Sequence, residues 1–449
     1  MKKLLAFLMA ALMLCCVGCG SKPATDPTDG IAADEPVEIV FWNVFADDSD
    51  TGMFLSQVAE KFMAENENIK VTIVGQGGYD AIVERLEAAA ASNTLPTMAI
   101  IEETFLGRFY PLTVDLSQYL STETIANYQQ GLLVSGYYDG VLRAVPFNRS
   151  MPNLYINRTL FDEAGITDVP TTWEEYFATA EKLTNKDKGV YGAGICWDTD
   201  AWIFESILYS HGGDIISEDN TKIVLNDTTV AADIVTEYQK YIDEGVVFNP
   251  YIYQDNVWST IGSAFLEGKL AMFLGSNGVY SMYNQWMKDA GYEMEIRQHP
   301  DAANIVVFSN ATEAQRQAAA KFMTYLASDE NAAAYTVLSG YLPTTVSCVN
   351  DPALQTFLQE NPFFQNAIDQ MQFAHRRPQT KAWKSIYTAD RRAGLLHDLH
   401  GYGRLRLHCE GGRAGPDHAG RGLSRPRFDK RALNRVWGAF RAPYPVQRG

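Results

Sequence analysis

The sequence predicts an α/β fold, a parallel-rich sheet with helices on both faces, and three observations carry that expectation. Strand-like and helix-like segments alternate from residue 37 onward. About 350 residues separate a polar linker near the N-terminus from a change of composition near residue 390, enough for two domains or one large pair of lobes. Hydrophobic residues make up 46% of the chain and aromatic residues 12%, so cores of that size can be filled.

The segments run in order as follows. Lys2 and Lys3 precede the apolar run "LLAFLMAALMLCCVG", which is too short and wrongly flanked to span a membrane and predicts a secretory signal over residues 1–19. Its end, "VGCGS", resembles the cleavage box of bacterial lipoproteins, with Cys16 three positions before Cys19 where that box usually has leucine. The resemblance implies cleavage before Cys19, lipidation of its thiol, and a protein tethered to the extracytoplasmic face of the cell membrane; the alternative is an ordinary secretory signal with a stray cysteine. Residues 20–36, rich in Pro, Asp, Gly and Ala with no aromatic, read as a flexible tether. Once Cys15 and Cys16 leave with the signal and Cys19 is acylated, Cys196, Cys348 and Cys409 remain without paired spacing. No disulfide framework, Cys-based metal site or cofactor is expected.

"VEIVFWNV" (37–44) is β-branched and aromatic, hence a buried strand. "MFLSQVAEKFMAEN" (53–66) sets Phe54, Leu55, Val58, Phe62 and Met63 on one helical stripe. "KVTIVG" (70–75) is strand, "YDAIVERLEAAAAS" (79–92) helix, and "TMAII" (97–101) a third strand ending at Glu102 and Glu103. This β-α-β-α-β rhythm argues for a parallel sheet. Ligands on such sheets bind beyond the carboxyl ends of the strands, where Trp42, Asn43, Gly77-Gly78-Tyr79 and Glu102-Glu103 converge.

"RAVPFNRSMPNLYINRTLFDEAGI" (143–166) holds the small polar residue Ser150 between two prolines at the mouth of a strand, a stiff loop that loses little further entropy on gripping a ligand. Beyond it, "DVPTTWEEYFATAEKLT" carries Thr171 three before Glu174, a capping box, with Trp173, Phe177, Ala180 and Leu183 on one face. "GVYGAGICWDTDAWIFESILYSHGGD" reads as a strand, then exposed-looking Trp197 and Trp202 at a helix start, then Gly212-Gly213 at its end. "TTVAADIVTEYQKYIDEG" is an amphipathic helix closed by Gly245. In "AFLEGKLAMFLGSNGVYSMYNQW" a short strand runs into Ser276-Asn277-Gly278, whose backbone N–H groups suit a ligand oxygen or an ordinary N-cap. "NIVVFS" is strand, and "EAQRQAAAKFMTYLAS" and "ENAAAYTVLSG" are helices.

The charge is lopsided. Residues 390–449 hold 13 Lys and Arg, 12 of them Arg, against 5 acidic residues, so the −17 of the whole chain becomes −25 for the first 389 residues. The tail has no sustained period. It reads either as a basic arm for nucleic acid or anionic lipid, or as wrong-frame translation of a GC-rich gene, and its inability to bury apolar surface favours the second. No nucleic-acid partner is expected.

In order along the chain, "FWN", "AEKFMAENENIKV", "VPFNRSMPNLYINRTLFDEAGI", "PTTWEEYFATAEKLT", "FLEGKLAMFLGSNG" and "AAAKFMTYLASDENAAAYTVLSGYLPTT" resemble the extracellular solute-binding proteins (family 1) of ABC importers, in their carbohydrate and glycerol-3-phosphate branch. The resemblance runs from about residue 37 to about 389. It implies a two-lobed periplasmic-binding-protein-like fold of type II, with residues 37–147 and 301–340 in one lobe and 148–300 and 341–389 in the other, closing about a hinge on a sugar or polyol. It further implies a monomer that hands its solute to ABC permease subunits, with no catalytic residues. Residue by residue, it gives Ser150 as a hydroxyl that meets the ligand, Tyr79 and Tyr341 as contacting tyrosines and Glu103 as the carboxylate that takes ligand hydroxyl hydrogens. Trp197 and Trp202 become an aromatic platform, and Ser276 a hydroxyl at a helix start. The chemistry is sound on its own terms, since a polyol offers hydroxyls to oxygen-bearing side chains and weakly apolar C–H faces to flat rings.

The chain departs from the family pattern in three places. Lys384 stands at the place of a C-terminal arginine of phosphate-binding members, with Arg376 and Arg377 nearby, and a lysine is a point charge and no bidentate fork. "EIRQHPDAANIVVFS" lacks a loop and paired glycines, with Ala302 where a backbone would approach ligand. The final helices are replaced by the arginine-rich tail. Rival classes are a secreted glycoside hydrolase, with Glu102-Glu103 and Asp198-Asp200 as candidate acids, and a surface lipoprotein without a small ligand. Adjacent strand residues point to opposite faces, which disfavours the first acid pair. Sequencing the gene across codon 390 is expected to reveal a shifted frame; an intact frame restores the basic-arm reading.

Overall fold

The computed structural model describes residues 36–194, 202–217, 222–225, 227–250, 257–298, 301–371 and 377–380. The signal, Cys19, Trp197, Lys384 and the tail after residue 390 lie outside the described residues. Two five-stranded sheets organise the chain, each under its own core.

In the first sheet, β1 (Val37–Asn43) lies parallel to β2 (Ile69–Gly75) and to β3 (Met98–Glu102). β3 is buried throughout, as expected of a strand covered on both faces. Helix α1 (Asp50–Glu65) starts where the Ser49 hydroxyl accepts from the Gly52 N–H, and it buries Leu55, Val58, Ala59 and Phe62. Helix α2 (Tyr79–Ser92) follows β2. A small antiparallel pair, β4 (Tyr137–Tyr138) and β5 (Val141–Leu142), stands apart from the sheet.

Of the remaining two strands of the first sheet, one departs from the parallel expectation. β12 (Asp301–Val307) inserts antiparallel between β3 and β6 (Ala144–Ser150), giving the order β2-β1-β3-β12-β6. The reason is topological: the chain leaves this sheet along β6 and returns from the other lobe, so it re-enters running the opposite way.

The second sheet is built from β7 (Pro152–Asn157), β8 (Ala193–Gly194), β9 (Val247–Phe248), β10 (Met272–Ser276) and β11 (Met294–Gln298), in the order β11-β7-β10-β8-β9. Its helices include α3 (Trp173–Leu183), α4 (Trp202–Ser210), α5 (Val230–Asp243), α6 (Val257–Leu266) and α7 (Tyr280–Asp289). Tyr155 of β7 stacks on Phe273 of β10 at 5.0 Å and meets Tyr283 of α7 edge-on, the centre of this core. Helix α3 is capped one residue later than the sequence pattern suggests. The Thr172 hydroxyl accepts from Glu175 N–H, while the Glu175 carboxylate accepts from both the N–H and the hydroxyl of Thr171, which removes Thr171 as the cap. Those donors hold the Glu175 carboxyl below the usual carboxylate range.

After β12 the chain forms α8 (Glu313–Leu326), whose Phe322 meets Phe62 of α1 edge-on at 5.1 Å. Helix α9 (Asp329–Ser339) is shared, with Ala332 and Ala333 in the second core and Tyr335 in the first.

The crossings between the sheets are short. β6 ends at Ser150 and β7 begins at Pro152, so the first crossing is Met151, a few residues later than the expected 147/148 boundary. A later crossing passes Gly340, at a φ of 84° that favours glycine, before Leu342 N–H donates to Arg149 C=O at 2.7 Å. Asn277, fully buried, ties the two together. Its Oδ1 accepts from Met151 N–H and its Nδ2 donates to Gly340 C=O, both at 2.5 Å.

Asn277→Ala is expected to lower the unfolding free energy by about 2–4 kcal/mol in urea titration, because two buried backbone groups lose their partners; an unchanged midpoint would detach the crossings from this side chain. A second expectation concerns Tyr128, Tyr155, Tyr176 and Tyr238, whose burial raises their hydroxyl pKa above the ordinary 10.0. The unfolded chain therefore releases these protons first, so their contribution is whole below about pH 10 and drains away above it. The denaturant midpoint is expected to fall between about pH 8 and about pH 11, and equal midpoints would contradict that burial.

Candidate functional site

The pocket of interest, about 290 Å³, lies where the two sheets face each other. Tyr79, Asn148, Ser150 and Ala303 line it from the first lobe, Trp202, Phe273, Ser276 and Tyr283 from the second, and Tyr341 from the chain just after the Gly340 crossing.

The tyrosine wall is built from local rules. Gly77 and Gly78 have φ of 79° and 151°, a left-handed backbone that places Tyr79 at the first position of α2. Asn148 Nδ2 donates to the Tyr79 hydroxyl at 3.1 Å, and the Tyr335 hydroxyl donates to Asn148 Oδ1 at 2.7 Å. Tyr335 is clamped between parallel rings, Phe147 at 4.7 Å and Tyr341 at 5.8 Å. Gly278 permits this, since a Cβ there would stand 2.8 Å from the Tyr341 ring. Burial pushes the Tyr79 hydroxyl well above its ordinary range and raises that of Tyr341. Both are neutral O–H groups at physiological pH, able to donate to or accept from a ligand hydroxyl.

The other residues that the sequence singles out fare differently, and the differences follow from where the elements run. Ser150 reaches the pocket from the last position of β6. Trp202 opens α4 and lines the pocket, but it is 8% exposed and packs in the second core, unlike the exposed ring that the sequence suggests. Ser276 also lines the pocket. Its hydroxyl already accepts from Gly278 N–H at 3.0 Å, so that N–H is not offered to a ligand as the sequence suggests. Trp42 is not among the lining residues and packs against the first core from β1. Trp197 and Lys384 lie outside the described residues.

Glu103 is displaced from its expected role. It is fully buried, its Oε2 accepts from Arg149 Nη1 at 3.2 Å, and its Oε1 accepts from Arg377 N–H at 3.0 Å. The same Arg149 nitrogen donates to Ser135 Oγ and Asn304 Oδ1. The neighbouring Glu102 lines the pocket instead. Glu102 ends β3 and Glu103 begins a 3₁₀ turn, and only Glu102 is carried to the cleft.

Two further charged residues sit at the site. Arg377 lines the pocket, where its Nε and Nη2 donate to the two carboxylate oxygens of Glu205, each at 2.8 Å, and its Nη1 donates to Glu102 Oε1. This side chain therefore joins β3 of one lobe to the first turn of α4 in the other. In the sequence Arg377 stands out only as a neighbour of Lys384. Glu205 has one visible signal, an acid inside the apolar "AWIFESILYS", which implies a buried partner without saying which.

The sequence profile of the bacterial extracellular solute-binding proteins matches residues 57–363. The sn-glycerol-3-phosphate-binding periplasmic protein of Escherichia coli K12 is 26% identical over 378 residues, covering 74% of this chain and 80% of that one. A putative binding protein of Brucella abortus is 23% identical over 310 residues, 65% of this chain and 73% of its own. Among solved structures, an ABC substrate-binding protein of Listeria monocytogenes in complex with cycloalternan matches at a TM-score of 0.69 and 21% identity, over 82% of this chain and 94% of that one. A Mycobacterium tuberculosis protein in complex with glycerophosphocholine matches at a TM-score of 0.66 and 20% identity, over 81% and 94%. These likenesses share the two-lobed α/β fold. With the family profile covering more than half of its length, this chain belongs to the bacterial extracellular solute-binding proteins.

Proposed function

We propose that this chain is the substrate-binding protein of an ABC importer, capturing a sugar or polyol between its lobes and delivering it to permease subunits, with a lipid on Cys19 holding it at the membrane. One observation carries the reading: the pocket between the sheets combines the Trp202 indole with the hydroxyls of Tyr79, Ser150, Ser276 and Tyr341, the flat face and oxygen groups that a polyhydroxy solute needs. The relatives support it, being named for sn-glycerol 3-phosphate or solved with cycloalternan and glycerophosphocholine. The pocket stands at the lower end of the roughly 300–1,000 Å³ of ligand sites, a size for a monosaccharide or glycerol derivative. Among the described residues no helix is long and apolar enough to cross a membrane.

The arrangement also argues against hydrolysis. Glu103 is paired with Arg149 and Glu102 with Arg377, so both carboxylates of that candidate acid pair are already engaged by guanidinium groups. Lobe closure is the proposed mechanism, with the Met151 and Gly340 crossings as its hinge and monomeric protein as its unit.

A thermal-shift screen of sugars and polyols, followed by calorimetry, tests the reading, since a ligand at a hundred times its dissociation constant adds about 2.7 kcal/mol to the folded state. With the solute so found, Trp202→Ala is expected to weaken binding at least tenfold, about 1.4 kcal/mol. An unchanged titration curve removes Trp202 from the site, and a screen without any stabilising solute removes the proposed function.

A further inference from the structure

Among the described residues lining the pocket, Arg377 is the only cation, and in a hydroxyl-lined cleft a guanidinium would ordinarily serve as a fork for phosphate or carboxylate. Here the fork is filled. Glu205 takes Nε and Nη2 with both of its oxygens at 2.8 Å, and Glu102 Oε1 takes Nη1 while also accepting from Thr104 Oγ1 at 2.8 Å. Two carboxylates thus surround one guanidinium. Beside them Glu103 is paired with Arg149. Glu205 is 1% exposed and sits in the first turn of α4, where the helix dipole favours an anion.

A phosphate ester entering this pocket would have to open the bidentate Arg377–Glu205 pair, or else lie beside Glu102, which faces the same space. A hydroxyl requires neither change. We propose that Glu205, acting with Glu102, disables Arg377 as an anion receptor, so that the pocket takes neutral polyols and rejects phosphorylated ones. The inference rests on the solute-receptor reading and narrows its substrate class.

Calorimetry on the purified protein with matched probes tests it: glycerol against glycerol 3-phosphate, and glucose against glucose 6-phosphate. A neutral member is expected to bind, with its phosphorylated counterpart at least tenfold weaker. Glu205→Gln, checked for folding by its thermal melt, removes the carboxylate that fills two of the Arg377 nitrogens and is expected to tighten the phosphorylated probe at least tenfold over the parent protein. If that variant does not fold, the parent panel decides alone. A phosphate ester that binds as tightly as its neutral parent overturns the inference and leaves the receptor reading standing. A folded Glu205→Gln protein with no gain for phosphate overturns the role given to Glu205, and heat from no probe sinks receptor and selectivity together.

Discussion

Two sheets can face each other across a cleft only if the chain passes between them, and each passage carries backbone polar groups that need partners where water is excluded. Asn277 meets that constraint with a single carboxamide, accepting from Met151 N–H and donating to Gly340 C=O. Few side chains hold a donor and an acceptor so close together. The pocket follows from this knot. With the first passage reduced to Met151, and Ser276 placed opposite Pro152 in the β10–β7 pairing, Ser150 and Ser276 arrive at the same floor from different sheets.

Around that floor the charges obey the rule for buried ions, which are tolerated when paired and hydrogen-bonded. Arg149 is held inside the first lobe by Glu103, Ser135 and Asn304, and contributes rigidity beneath β6. Arg377 performs the analogous role at the cleft itself, where its partners come from two different lobes. The tyrosine wall is stiff for a different reason, since Phe147, Tyr335 and Tyr341 form one parallel stack and Asn148 bridges the hydroxyls of Tyr335 and Tyr79.

Much of this is legible in the sequence wherever the signal is local. The strand at 37–43 reads from its β-branched and aromatic run and α1 from its apolar helical stripe, and the two-lobed fold follows from the family resemblance. Strand direction is not legible, because nothing within "NIVVFS" states that it will run against β3. The choice of Glu103 over Glu102 fails at the strand's end, where one residue decides between core and cleft. Trp42 stands near a strand end, as a cleft residue would, yet its ring packs on the core. Arg377, Glu102 and Glu205 come from three distant segments, and their meeting is a property of the assembled fold that no spacing encodes.

The placement of β12 has a consequence for how the chain reaches its native state. This strand sits inside the first sheet between β3 and β6, yet its partner β3 precedes it by roughly two hundred residues, a long loop to close before any reward is collected. Until residues 301–307 arrive, β3 and β6 each present a bare edge, and a chain delivered N-terminus first must carry both edges through the whole of the second lobe. The first half of this protein is therefore the last to be finished, and maturation depends on keeping it soluble and uncommitted until its own missing strand returns.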